Sequence, residues 1–254
     1  MQAEEAARAT GSPGVWATRV NFGKAIRAAT RPAYWPTLAQ VVVPTIEHAP
    51  ALRAVEPATV IDVGANKGQF SSFARVRWPG ARILAFEPLP RPAARYRKVL
   101  GNGARLFTCA LGAEDGQMEM HVASRDDSSS LLALGNEQKS IFHMDEVATV
   151  KVDVRRLDNV IADLAEPPSL LKIDVQGFEF EVLRGLGELA KVVEWIYVET
   201  SFVELYTGQR LHDEVAALLS QLGYEQSIEH NVTVDGDRKV QADFLFSKRA
   251  AYPT

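Results

Sequence analysis

Residues Val60 to Phe70 read VIDVGANKGQF. A short apolar run carrying an acid, Asp62, passes at once into backbone punctuated by Gly64 and Gly68. Glycine lets main chain come close to a ligand, and a helix that follows directs its free N–H groups at whatever lies there. The pattern predicts a strand, a ligand-binding turn and a helix. Such a turn serves several nucleotide-like cofactors and is sometimes only a tight turn, so it does not decide the ligand alone.

The next strand narrows the choice. Ala81 to Pro90, ARILAFEPLP, is a second apolar run ending in an acid, Glu87, followed by a proline-rich helix start. In a parallel sheet that carboxylate lies at the carboxyl edge beside the glycine turn, where it can accept hydrogen bonds from both hydroxyls of a ribose. The pair reads as an adenosine site. A nicotinamide site carries the tighter G-x-G-x-x-G spacing, whereas Asn66 stands here where a second close glycine belongs, which favours S-adenosylmethionine. Asp62, Gly64, Asn66, Gly68 and Glu87 are therefore expected cofactor contacts, with Ala110 at the end of the third strand and Asp174 beside them. For Asp62, organising the loop through backbone N–H groups is an equal alternative to touching the cofactor.

Two further runs add to this. Leu170 to Leu186 reads LLKIDVQGFEFEVLRGL and Glu194 to Gln209 reads EWIYVETSFVELYTGQ. Together with VIDVGANKGQF and FEP they closely resemble the FkbM family of S-adenosylmethionine-dependent methyltransferases, in which K-I-D-V-Q-G-aromatic-E is the most distinctive run. The resemblance covers about Thr59 to Phe246 and leaves out the first fifty or so residues. It implies a class I methyltransferase (Rossmann-like) fold, a seven-stranded mostly parallel sheet whose last strand is antiparallel. It also implies methyl transfer, commonly to a hydroxyl of a sugar or natural product, without naming the acceptor.

Composition agrees with a compact enzyme. A chain of 254 residues can form one large α/β domain with an extension. The expected division is a tail and helical cap over 1–55 and a cofactor-binding domain over 56–254. A net charge of −4 gives no long-range pull toward nucleic acid or an anionic membrane. The single cysteine, Cys109, excludes an intramolecular disulfide. No run of about 18 apolar residues is present to span a bilayer, and MQAEEAARATGSPG lacks the apolar centre of a secretory signal. A cytoplasmic location is the default expectation, and homo-oligomerisation is left open.

Helical spacing follows each of the first two strands, at Phe70, Phe73 and Ala74 and at Ala93, Tyr96 and Leu100. Strands alternating with helices argue a parallel sheet with helices on both faces. Arg105 to Ala110 is the expected third strand, Leu170 to Ile173 the fourth and Val192 to Val198 the fifth. Val215, Leu218, Leu219 and Leu222 mark a helix started by Asp213 and stopped by Gly223. Tyr224 to Ile228 and Ala242 to Ser247 close the sheet. Gln117 to Val122 and Thr149 to Val154 alternate as half-exposed strands and are expected to pair as an antiparallel addition to that sheet or its edge. Between them, Ala123 to Ala148 has little periodicity, which suggests a lid or binding loop.

Methyl transfer to oxygen is an in-line displacement in which the enzyme fixes geometry and a base takes the hydroxyl proton. Asp174 and Glu199 end neighbouring strands, roughly 5 to 10 Å apart, and both face the expected cleft. Asp174 is the first candidate for the reacting centre and Glu199 for the acceptor or cofactor side, with His143 or His212 as a base from a loop. Ser129, Ser130, Gln176 and Tyr206 are candidate acceptor contacts, and Asp126 and Asp127 belong to the same polar loop. Lys172 is either a buried cation paired with an acid or an edge residue with its head in water. The two acids could also ligate Mg²⁺, which the lack of a compact ligand cluster does not favour. The expected reaction is O-methylation of a small glycosyl or polyketide-like molecule. N-methylation of an amine or peptide and a non-catalytic adenosine-binding module are the alternatives.

Overall fold

The structure, a computed structural model, describes residues 23–125 and 127–249. The tail expected over 1–14, the beginning of the helical cap and Asp126 lie outside the described residues. The sheet begins with β1 (Thr59–Val63), all five residues of which are buried. β2 (Arg82–Phe86) and β3 (Arg105–Phe107) pair parallel on one side of it, and β7 (Ser169–Ile173) and β8 (Val193–Ser201) follow in parallel on the other. β10 (Arg238–Lys248) runs antiparallel to β8 and forms a hairpin with β9 (Tyr224–Asp235), giving the order β3-β2-β1-β7-β8-β10-β9. The central strands are short, continuous and apolar because helices cover both of their faces.

Alternation along each strand sends neighbouring residues to opposite faces. Ile61, Leu171 and Ile196 pack with α4 (Leu157–Ile161), α5 (Glu179–Arg184) and α6 (His212–Gln221). Val60, Leu170 and Tyr197 pack on the other face with Phe70 and Phe73 of α1 (Gln69–Arg77). Residues 23–29 and Trp35–Ala39 are helical and Ile46–His48 is a 3-10 turn. Ala51, Leu52 and Val55 share the second cluster with β1 and α1, so the segment before the sheet is seated on the sheet's own core.

Several sequence expectations change in the structure. The third strand divides: β3 ends at Phe107, and Ala110–Leu111 forms β4, which leaves the large sheet to pair parallel with β6 (Glu146–Arg155). β5 (Gly116–Ala123) pairs antiparallel with β6 as expected, but the pair builds a separate three-stranded sheet, β4-β6-β5, instead of extending the large one. The region between β5 and β6 contains α3 (Asn136–Phe142), whose one buried residue, Gln138, gives no apolar period to read. The fifth strand continues past Val198, since β10 pairs with it as far as Ser201, and Glu199 therefore lies within the strand opposite Asp243. α6 starts one residue before Asp213, and Glu214 closes its first turn by accepting the Leu211 N–H at 3.2 Å.

Candidate active site

The strand order reverses between β1 and β7, and the crevice outside the carboxyl ends of such strands is where open α/β sheets bind ligands. A cleft of about 900 Å³ lies there, reached by Gly64, Ala65 and Asn66 from the turn after β1, by Glu87 after β2 and by Asp174 after β7. Gly64 has φ of 75°, and a Cβ on it would sit 1.9 Å from the Asp174 carbonyl oxygen. Only glycine lets these two strand ends meet. Gly68 (φ 89°) does a different job. A Cβ there would come within 2.5 Å of Leu100 in α2 (Pro90–Leu100), and the residue seats α1 against α2 without lining the cleft.

Glu87 is buried and ties the two turns together. One carboxylate oxygen accepts the Asn66 N–H at 3.0 Å and the other accepts the Leu89 N–H at 2.8 Å. Burial outweighs those two bonds and pushes the carboxyl up to about 7. Phe86, Leu89, Leu111, Met120, Leu131 and Phe178 line the same cleft. Apolar side chains, a buried carboxylate and close main chain meet in this cleft, a lining of the kind that small-molecule cofactor sites carry. Ala110 and Ser129 also line this cleft, and the Ser129 hydroxyl accepts the Ala123 N–H at 3.2 Å.

Asp62 is fully buried behind the turn and does not line the cleft. It accepts the Ser71 hydroxyl at 2.6 Å and lies 3.4 Å from the Lys172 ammonium. Lys172 is the buried cation of the two readings. It pairs with Asp62 across β1 and β7, donates toward the Gly64 carbonyl at 3.3 Å and stands 3.6 Å from Asp174. Burial opposes its charge, but the carboxylates of Asp174 and Asp62 raise its pKa above the ordinary lysine value.

Asp174 is the hinge of the site. It lines the cleft and also a second cavity of about 600 Å³, and Gln176 and Asp127 are shared in the same way. Gln176 adopts a left-handed φ of 61°, and its amide donates to Asp174 at 2.7 Å and lies 3.4 Å from Glu199. The Tyr206 hydroxyl donates to the other end of that amide at 2.7 Å, and the Ser130 hydroxyl donates to the Gln176 carbonyl at 2.6 Å. Ser130 and Tyr206 line neither cavity and hold Gln176 in place. Glu179 accepts the Val175 and Gly177 N–H groups at 3.2 and 3.0 Å, fixing the same turn from below.

The second cavity is mostly polar, with Glu199, Gln241, Gln138 and Arg125 joining the shared residues. Glu199 accepts the Gln241 amide at 2.8 Å. Burial, then Asp174 and Asp243 nearby, raise its carboxyl well above the ordinary value. The two histidines expected at the cleft are elsewhere. His143 is exposed at the end of α3, and His212 bonds Thr200 at 2.9 Å and stacks on Phe244 at 4.1 Å between centroids. Both sequence positions lacked any restraint on direction. Among the described residues, no three or more His, Cys, Asp or Glu side chains are grouped to hold a metal.

Reading the strands alone overlooked His48, which lines the cleft, and Asp243, a lone acid inside the apolar run ADFLF. It also overlooked Gln241, Gln138 and Arg125, which the fold gathers from β10 and from the segment between β5 and β6.

A strand order with a reversed terminal hairpin and a cleft at the switch point is that of a class I methyltransferase. Residues 62–225 match the model of the methyltransferase FkbM domain, and the chain belongs to that family of S-adenosylmethionine-dependent methyltransferases. It is 28% identical over 206 residues to "Methyltransferase 1" of Beauveria bassiana, covering 75% of this chain and 80% of that one. It is 34% identical over 161 residues to "2-O-methyltransferase NoeI" of Sinorhizobium fredii, covering 59% and 66%. Similarity to "31-O-demethyl-FK506 methyltransferase FkbM" of Streptomyces tacrolimicus is 31% over 193 residues, covering 65% and 72%. Among solved structures, a TehB-like SAM-dependent methyltransferase from Corynebacterium glutamicum aligns with a TM-score of 0.44 at 12% identity, covering 88% of this chain and 99% of that one. Among the described residues no helix is long and apolar enough to cross a membrane.

Proposed function

We propose that the protein is an O-methyltransferase acting on a hydroxyl of a small, polar, sugar-like or other natural-product-like acceptor. The observation that carries this reading is the pair of cavities meeting at Asp174 and Gln176, one suited to adenosine and the other lined by carboxylates and amides. Carboxylates and amides suit a molecule rich in hydroxyl groups, because each hydroxyl both donates and accepts. The relatives named for transfer to oxygen support the same choice.

When bound, S-adenosylmethionine supplies a methyl group on a sulfonium, which leaves as a neutral thioether. Glu87 would hold the ribose, and the backbone at Gly64 to Asn66 would face the amino-acid portion. Asp174, held by Gln176 and Lys172, would orient the attacking oxygen, and Glu199 and Gln241 would hold its neighbours. Closure of the 123–148 segment over both cavities would exclude water from the reacting pair. We read residues 1–55 as a tail and helical cap preceding the catalytic domain of 56–254, and the protein as acting in the cytoplasm.

Radiolabelled methyl transfer to a panel of methyl glycosides, hydroxylated macrolactones and small amines tests this reading. Label in an ether product is the expected result, and label only in amines would replace O-methylation by N-methylation. The three carboxylates of the second cavity, Asp127, Asp174 and Glu199, would then be the seat of an ammonium.

A further inference from the structure

The 3-10 turn before the sheet brings one titratable side chain to the cleft that the reading above does not use. His48 lines the cleft beside Phe70, whose ring centroid lies 5.7 Å from its own. The Lys172 ammonium is 5.7 Å from the same Phe70 centroid and 3.6 Å from Asp174, so His48 and the charged centre of the site border the same ring. Behind His48 stand Tyr197 of β8 and Asp243 of β10. His48 Nδ1 is 3.0 Å from the Tyr197 hydroxyl and 3.4 Å from an Asp243 oxygen. Asp243 is paired directly with Glu199, which lines the polar cavity, and both side chains project from the same face of the sheet.

The hydrogen bonds around Nδ1 suit one imidazole tautomer. Asp243 is buried and its carboxylate accepts from Asn231 at 2.7 Å and from Tyr197 at 3.0 Å. The Tyr197 hydroxyl has one proton and gives it to Asp243 at 3.0 Å. Its oxygen is then free to accept from His48 Nδ1, 3.0 Å away, when that nitrogen carries the ring proton. Asn231 Nδ2, 3.3 Å from Nδ1, donates one of its two N–H groups to Asp243 at 2.7 Å. Among the described residues nothing bonds Nε2. In that tautomer Nδ1–H is held by the Tyr197 hydroxyl, itself anchored on Asp243, and the lone pair on Nε2 at the wall of the cleft is arranged to take a proton.

We propose that His48, oriented through Nδ1 by Tyr197 and Asp243, is the general base that receives the acceptor's hydroxyl proton on Nε2. The inference rests on the O-methyltransferase reading. Transfer from a sulfonium to an alcohol yields an ether, a thioether and one proton. As the new C–O bond forms, the O–H bond breaks and an N–H bond forms at Nε2. The imidazolium then returns that proton to solvent. Both His48 and Asp243 lie outside residues 62–225, so the base would come from segments that the family model does not cover.

A purely structural role for His48 makes different demands. The turn carrying it is already tied to β9, where His230 Nε2 donates to the Glu47 carbonyl at 2.8 Å. If His48 only adds to that tie, its loss weakens stability and S-adenosylhomocysteine binding together, and added imidazole changes nothing. If it is the base, His48→Ala keeps its dissociation constant for S-adenosylhomocysteine within about threefold. Its turnover with the best methyl glycoside of the panel falls by about 10²–10⁴-fold and is partly restored by free imidazole. His48→Gln, closer in shape, serves if the alanine variant does not fold. Turnover within threefold of wild type in either folded variant, or loss without rescue accompanied by lost cofactor affinity, overturns the assignment.

A second readout needs no acceptor. With only five histidines in the chain, the ring nitrogens of His48 can be assigned in ¹⁵N spectra by comparison with His48→Gln. A protonated Nδ1 and a bare Nε2 in the wild type, shifted in Asp243→Asn, is the expected result. A protonated Nε2 with a bare Nδ1 overturns the proposal whatever the panel shows. Failure of every hydroxyl acceptor alongside the expected tautomer overturns the O-methylation reading and leaves the proton-accepting geometry intact.

Discussion

At the residue scale, two carboxylates with the same apparent place, each just past a strand end, have different work. Glu87 is enclosed by two backbone donors and an apolar slot, whereas the Asp174 side chain keeps 39% of its surface open toward both cavities. If Glu87 holds the ribose as proposed, removing its carboxylate strips two hydroxyls of their acceptor. Glu87→Ala should therefore weaken S-adenosylhomocysteine binding, measured by calorimetry, by about 1.5–3 kcal/mol, the range for hydrogen bonds to a charged group. An unchanged dissociation constant would remove Glu87 from the ribose. Asp174→Asn keeps size and one acceptor oxygen but loses the charge that Lys172 and Gln176 hold in place. Turnover should fall by about 10²-fold, the cost of a misplaced reactant, while S-adenosylhomocysteine affinity changes less than tenfold. Losing affinity and not turnover would place Asp174 in the donor site alone.

At the scale of elements, the 123–148 segment joins the two cavities. Asp127, Ser129 and Leu131 reach the cleft at the strand ends, while Gln138, Phe142 and Met144 reach the polar one. Hydrogen exchange should show added protection over 127–131 with S-adenosylhomocysteine alone, extending to 138–144 once an acceptor is also present. Identical exchange in all states would make the segment a fixed insertion. The sequence made β1, β2 and β7 legible because strands buried on both faces are short apolar runs, and Gly64 because its turn requires a positive φ. α3 was illegible for the opposite reason, having no apolar face. The small sheet was half legible: alternation exposed β5 and β6, but nothing local told Ala110 and Leu111 to leave the large sheet and pair with Val154 and Arg155. The same limit hid His48 and Asp243, which meet only because β10 returns beside β8 and the preceding 3-10 turn folds over them.

At the scale of the whole molecule, assembling the site at one sheet edge concentrates buried acids, and folding has to tolerate them. Burial pushes Glu87 and Glu179 each up to about 7, and Glu199 well above its ordinary value. Between the unfolded carboxylate pKa of about 4.3 and about 7, the folded chain holds protons on these groups that the unfolded chain has released. Stability must then fall as pH rises through that window, because unfolding releases protons. The contribution is fully present below the unfolded value and lost once the folded groups ionise. One pKa unit is about 1.4 kcal/mol, so the two glutamates together represent several kcal/mol. His212, held below its ordinary value by burial, acts in the opposite direction below pH 6.5, and Asp243, also lowered, acts only in stronger acid. Three carboxyls against one half-buried imidazole leave the acids dominant. The melting temperature without ligand should therefore be higher near pH 5.5 than near pH 8. Glu179→Gln keeps an oxygen for the Val175 and Gly177 N–H groups while removing the titration, and Glu179 lines neither cavity. That variant should melt at a temperature less dependent on pH than the wild type, gaining most at pH 8, as followed by circular dichroism. A wild-type melting temperature that rises from pH 5.5 to 8 would mean that backbone donors, and not burial, set the charge of these acids.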